Sequence, residues 1–285
     1  MWTATTLSGL SSGAPSARDL ADRAAAYVRE LDAQLVSIVG HERYEQQSVE
    51  TASGITFQQR RTLDARIAWV HVPGPDDTVA VREVLSVDGA PAVRSSRLEQ
   101  LLRKPADALS SAVGQFLDES AAHNLEPGAR NINFPTFPLV YLRAPHSDRT
   151  RWKVEQRDGP LTLLSFEELR RPTVVRSDRG DHLRAKGEFR VDEASGRVQR
   201  IEVRLAGREW VTPSAGELKA SVAVEIEYRH EIVFAPNDRL GVWLPAHMND
   251  RYRRSGGGTH LEVSGEATYS EYRRFETTGR LLTDQ

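Results

Sequence analysis

The residues of this chain that could do chemistry are few and far apart. His41-Glu42-Arg43-Tyr44-Glu45 opens like a zinc-binding HExxH helix, in which two histidines one turn apart hold the metal and the glutamate acts as base. Glu45 stands where the second histidine belongs. The polar alternation running into Val49 is that of a strand, which does not bring positions i and i+4 together. No metal and no cofactor are expected. The other histidines (His71, His123, His146, His182, His230, His247 and His260) are scattered without ligand spacing. His230 interrupts the apolar row of a strand, where a buried neutral imidazole bonded to a carboxylate or carbonyl is a commoner state than a catalytic base. Glu83 interrupts the row Val79, Val81, Leu85 and Val87 in the same way. Burial would raise its pKa toward acid–base work, whereas a sheet edge or an end facing water would leave an ordinary carboxylate, and the second is expected. Glu119 and His123 stand one helical turn apart, close enough to pair.

Other chemistries are excluded by type. The chain has 0 cysteines, which removes disulfides, thiol nucleophiles, Cys-ligated zinc and iron–sulfur clusters. It contains no GxSxG, no Walker A loop and no GxGxxG between a strand and a helix. Arg170-Arg171, Arg253-Arg254 and Arg273-Arg274 are local pairs without clustered aromatics, and the net charge is −2, so no pull toward nucleic acid is expected. No run of about 18 apolar residues spans a membrane. No catalytic constellation emerges, and a non-enzyme is expected.

The elements that must position these residues are clearer. Leu20, Ala24, Tyr27, Val28, Leu31, Leu35 and Ile38 draw one apolar stripe at helical period, opened by a Ser16/Asp19 capping box and stopped at Gly40. Ser96 with Glu99 opens a second helical region, and Pro105 begins a helix carrying Leu109, Val113, Phe116 and Leu117 that ends before Pro127-Gly128. The rest reads as strands. Val222, Val224, Ile226, Tyr228, Ile232 and Phe234 face one way against Glu225, Glu227, Arg229 and Glu231 the other, and the same period recurs at Leu63–His71, Val79–Val87, Trp152–Gln156, Leu183–Val191, Ile201–Leu205, Val242–Tyr252 and Leu261–Tyr269. Pro73-Gly74-Pro75, Asp88-Gly89, Asp158-Gly159, Asp192 to Gly196, Pro236-Asn237-Asp238 and Gly256-Gly257-Gly258 separate them.

Strands joined by short turns make an antiparallel meander. A large sheet apolar on one face must cover that face with the two helical segments and its own curvature. The fold class is therefore β-dominated α+β: a single curved antiparallel sheet, an incomplete barrel, wrapped over an N-terminal helix and a helical insert at about 95–126. Residues 1–15 are expected to be disordered and 16–285 to form one domain. Asn131–Pro138, with two prolines, is the most irregular interior stretch.

The order of elements carries a resemblance. The amphipathic helix runs into VGHERYEQ, then QQRRTLDARIAWV and VREVLSVDGAP; later come FRVDEASGRVQRIEV, VEIEYRH, LGVWLPAHMNDRY and GEATYSEYRRF. Over roughly Ala21 to Glu276 this resembles the outer-membrane lipoprotein carrier (LolA-like) superfamily, and more closely its uncharacterised bacterial cell-envelope relatives. The resemblance implies an incomplete barrel around helices, an apolar cavity for acyl chains, and a location in the periplasm or cell envelope. No export signal is visible, so either the start lies downstream of a true N-terminus or the protein is cytoplasmic. The expected function is non-catalytic binding or carriage of a hydrophobic ligand, a lipid or acylated protein, with an envelope protein as a further partner. The candidate cavity lining is Phe116, Leu117, Phe134, Phe137, Leu139, Val224, Ile226 and Tyr228. The alternative is a structural or interaction module of the envelope with a filled core, and the third is a hydrolase using His230 or Glu83.

Overall fold

The first helix forms where its cap and stripe demand. In the computed structural model, which describes residues 14–72, 78–92, 97–125, 132–177, 179–211 and 221–275, α1 spans Ala17–Leu35. The Ser16 hydroxyl accepts from the Asp19 amide at 3.2 Å while the Ser16 amide donates to the Asp19 carboxylate at 3.0 Å. Leu20, Ala24, Val28, Leu31 and Leu35 are buried on one side. The helix stops short of the expected end: Ile38 is the first residue of β1 (Ile38–Ala52), and Gly40 lies inside that strand. The Tyr272 ring occupies the space a Cβ at Gly40 would need, so this glycine serves sheet packing and not helix termination.

The strands that follow are β2 (Ile55–His71), β3 (Thr78–Val87), β4 (Ala90–Pro91), β5 (Thr150–Asp158), β6 (Leu161–Glu168), β7 (Val175–Arg176), β8 (His182–Asp192), β9 (Val198–Val211), β10 (Val222–Asn237), β11 (Val242–Gly256) and β12 (Thr259–Arg274). They form one antiparallel sheet in the order β4-β3-β2-β1-β12-β11-β10-β9-β8-β6-β5, with β7 beside β8. The sheet is open, ending in β4 and β5. Ser53-Gly54 and Asp88-Gly89 both have positive φ at each residue, the geometry that keeps hairpin strands in register with their twist. The two halves of the meander are joined by β1 pairing β12, with Tyr44 opposite Ala267. Helix α1 touches β2 on one half of the sheet and β5, β6 and β9 on the other, so the sheet curls around it.

The helical insert, α2 (Arg97–Leu102) and α3 (Ala106–Ala121), takes the opposite face. Ala68 of β2 sits opposite Val81 of β3, and this side packs with Val39, Val70, Leu98, Leu101, Val113 and Phe116 as a second apolar cluster. The alternate residues Ile67, Trp69 and Ala80 face inward with α1. Strand β3 is therefore buried on both faces. Glu83 follows from this: it is 2% exposed, accepts from Arg66 Nε at 2.7 Å, and accepts from the Leu98 amide at 3.1 Å at the start of α2. It is an interior carboxylate that holds the insert, where a sheet end facing water was expected. The expected disorder of residues 1–15 falls almost wholly outside the described residues, as do the Pro73-Gly74-Pro75 turn, the Ser96 cap, Asn131 and the Pro127-Gly128 helix end. Pro105 is the residue before α3 and not its first position.

Candidate functional site

The concave face of the sheet is packed. Helix α1 and the 3-10 turn Phe137–Leu142 fill it, and Leu20, Leu35, Leu139, Tyr141 and Leu142 are each 0% exposed. Aromatic rings interlock beside them, with Tyr141 and Phe166 centroids 4.8 Å apart and Phe166 and Phe189 5.3 Å apart. Of the sequence-derived candidates, Phe134, Leu139, Ile226 and Tyr228 join this main cluster, with Leu117 and Phe137 half-buried against it. Phe116 belongs to the cluster under the helical insert, on the other side of the sheet. Val224 lies near the far end of β10, 6% exposed.

A polar network runs through the same interior. Arg82 and Glu42, both fully buried, form a two-pronged ion pair: Arg82 Nη2 donates to Glu42 Oε1 at 2.8 Å and to the Asn133 carbonyl at 2.9 Å, and its Nε donates to Glu42 Oε2. The guanidinium carbon lies 4.9 Å from the Tyr44 ring centroid and 4.8 Å from that of Phe134. The Tyr44 hydroxyl donates to Asp250 at 2.6 Å in space that a side chain at Gly265 would fill. Asn133 donates to Asn124 at 3.0 Å, and the Leu125 amide donates to Gln46 at 3.0 Å. These contacts tie the irregular stretch before the 3-10 turn and the end of α3 to the inside of the sheet. Glu42 is thus a structural anion, and its neighbour His41 points to the outer face, 3.9 Å from Asp64. Among the described residues no group of three or more His, Asp or Glu side chains lies where it could hold a metal.

His230 is fully buried, and its Nδ1 is 2.8 Å from the Tyr228 hydroxyl. Asp250 stands directly opposite on β11 and accepts from the Tyr44 hydroxyl. Burial pushes the imidazole pKa down to about 3. The unfolded ring titrates near 6.5, so between these values the unfolded state binds a proton that the folded state does not. The stabilising contribution is whole above pH ~6.5 and falls below it by up to ~1.4 kcal/mol per pH unit. Urea unfolding at pH 7 and pH 5 should show about 2 kcal/mol of loss from this group, and His230→Gln should remove that difference. An unchanged pH slope in the variant contradicts a buried neutral His230.

The surface hollows lie on the outer face and are charged. One, about 500 Å³, is lined by Glu45, Arg60, Arg229, Glu231, Arg251 and Glu266 among others. A larger one, about 780 Å³, lies between Arg208, Glu225 and Arg253, with Trp210 and His182 on its wall. The sheet register orders these charges in rows. Glu188, Glu202 and Glu231 are opposite one another on β8, β9 and β10, and Glu266 and Glu45 are opposite on β12 and β1. Two residues along, Lys186, Arg204, Arg229 and Arg251 are opposite one another on β8 to β11. Like sign therefore repeats across the strands in each of these two rows. Glu202 accepts from Arg204 at 2.9 Å and from Arg229 at 2.9 Å, and these bonds outweigh its partial burial to hold its carboxyl below the ordinary range.

With that geometry in place, comparison with known proteins gives little further. No family model and no curated protein matches the chain. Among solved structures it is similar to the LolA superfamily protein NE2245 from Nitrosomonas europaea, at 10% identity over 95% of this chain and 99% of that chain, with a TM-score of 0.26. It is also similar to a chain of the Pseudomonas aeruginosa MucA/MucB complex, at 11% identity over 89% of this chain and 99% of that one, with a TM-score of 0.18. Among the described residues no helix is long and apolar enough to cross a membrane.

Proposed function

We propose that the protein is a non-catalytic binding module whose concave face is a permanent core and whose outer sheet face meets a ligand or partner. The observation that carries this reading is the burial of α1 and the 3-10 turn within the main apolar cluster on the concave face, together with hollows that are lined by charge on the other side. A carrier of acyl chains needs a contiguous apolar cavity of about 300 Å³ or more. The engagement of His230 with Tyr228 and of Glu83 with Arg66 and α2 favours structural roles for both over acid–base work. The cell envelope is the setting we infer, from the sequence resemblance alone.

Carriage of a hydrophobic ligand is the second reading. One observation favours it: Ile55 and Phe57, more than half exposed, extend the inward-facing side of β2 toward the end of the sheet where Leu261 and Val263 lie. Added fatty acid separates the two. A carrier gains about 2.7 kcal/mol at a hundredfold excess over the dissociation constant. The filled-core module keeps its melting temperature, and protein purified from a bacterial host without detergent yields no stoichiometric lipid on solvent extraction. Stabilisation by fatty acid, or one lipid per chain, overturns the proposal.

A further inference from the structure

The row of like charges on the outer face is costly as it stands. Arg204, Arg229 and Arg251 are direct cross-strand neighbours on β9, β10 and β11, and like charges directly opposite destabilise a sheet. Arg253 joins them one row away. These four guanidiniums, with Glu227 beside them, line a small hollow of about 120 Å³ between the two larger ones. They share few carboxylates. Glu202 serves both Arg204 and Arg229, and Glu262 serves Arg253 at 2.7 Å and Arg251 at 3.6 Å. Glu227 stands 3.9 Å from Arg253. Each guanidinium carries five N–H donors, more than Glu202, Glu262 and Glu227 engage, and Glu188 adds only a Coulombic attraction on Arg204. Their side chains are 43% to 52% exposed, so the spare donors are open to a ligand.

We propose that this hollow is an oxyanion site that takes a phosphate-type group, free or presented by a lipid headgroup. Planar forked donors from neighbouring strands match the oxygens of such a group, and an anion between Arg229 and Arg251 relieves the repulsion that the sheet register imposes. The ion pairs that are made still leave Arg204, Arg229 and Arg251 directly opposite one another across the strands. The proposal rests on the outer face being the binding surface, and it stands or falls separately from the filled interior, which the lipid extraction tests.

The test is titration of the full chain with inorganic phosphate against chloride at matched ionic strength, read by calorimetry and by the arginine Nε–H signals in NMR. Saturable phosphate binding is expected, weakened about tenfold or more in Arg229→Gln and in Arg251→Gln. Arg190→Gln is the control, since Arg190 lies outside the lining of the hollow and pairs with Asp158, and its variant should bind as the parent does. Vesicles of phosphatidic acid and of phosphatidylcholine distinguish the sources. Binding to the first alone, lost in Arg229→Gln, assigns a headgroup; free-phosphate binding without vesicle binding assigns a soluble ligand. Phosphate acting no differently from chloride, or Arg229→Gln and Arg190→Gln behaving alike, overturns the site.

Discussion

Replacing Arg82 by methionine is expected to cost about 3–5 kcal/mol of folding stability, because it leaves the Glu42 carboxylate buried and unpaired. Both partners are fully buried, and the arginine also donates to the Asn133 carbonyl and lies over the rings of Tyr44 and Phe134. The double variant Arg82→Met with Glu42→Leu should recover most of that loss, since an apolar pair of similar volume carries no desolvation cost. Urea unfolding of the two single variants and the double measures the coupling. A single-variant loss under ~1 kcal/mol would mean that water reaches the pair and that this part of the concave face is open.

Tyr228→Ala is the second large effect, about 3–5 kcal/mol from aromatic truncation in a packed site. Tyr228 is 1% exposed, lies in the main cluster with Ile226 and Ile232, and bonds His230, whose ring loses that partner in the variant. Arg229→Gln, one residue along on the outer face, should stay within about 0.5 kcal/mol of the parent. The contrast between neighbouring positions is the signature of a strand with one face in a core and one in water. A loss below ~1.5 kcal/mol at Tyr228 would favour the hydrophobic-ligand reading, because lining a cavity costs less to truncate than filling one.

The local grammar of the chain was legible where one periodicity dominates. The Ser16/Asp19 box, the α1 stripe and the alternation of β10 all appear where residue types placed them. Reading failed where two faces are buried at once. Glu83 looked like the odd residue of β3 because Val79, Val81 and Leu85 share its side, while Ala80, Arg82 and Val84 on the other side are buried as well. A strand covered on both sides loses the contrast on which such a reading depends. Ile38 continued the helical spacing by coincidence, since the first inward residue of β1 falls near the period of α1. The charge rows were hidden for a different reason. Each strand shows only arginines and glutamates scattered along one side, and the like-charge rows exist through a register set by pairings such as Arg229 with Arg251, twenty-two residues apart in the chain.

The filled concave face is the claim on which the rest depends, and native-state hydrogen exchange of α1 tests it most directly. If α1 is a permanent part of the core, the amides of Val28 and Leu31 exchange only through global unfolding, with the same free energy and the same urea dependence as amides in the middle of β10. Exchange of α1 through a separate opening several kcal/mol below the global value, with β10 still protected, would contradict the account. Such a result would show a helix that lifts from the sheet and a concave face that can be vacated for a ligand.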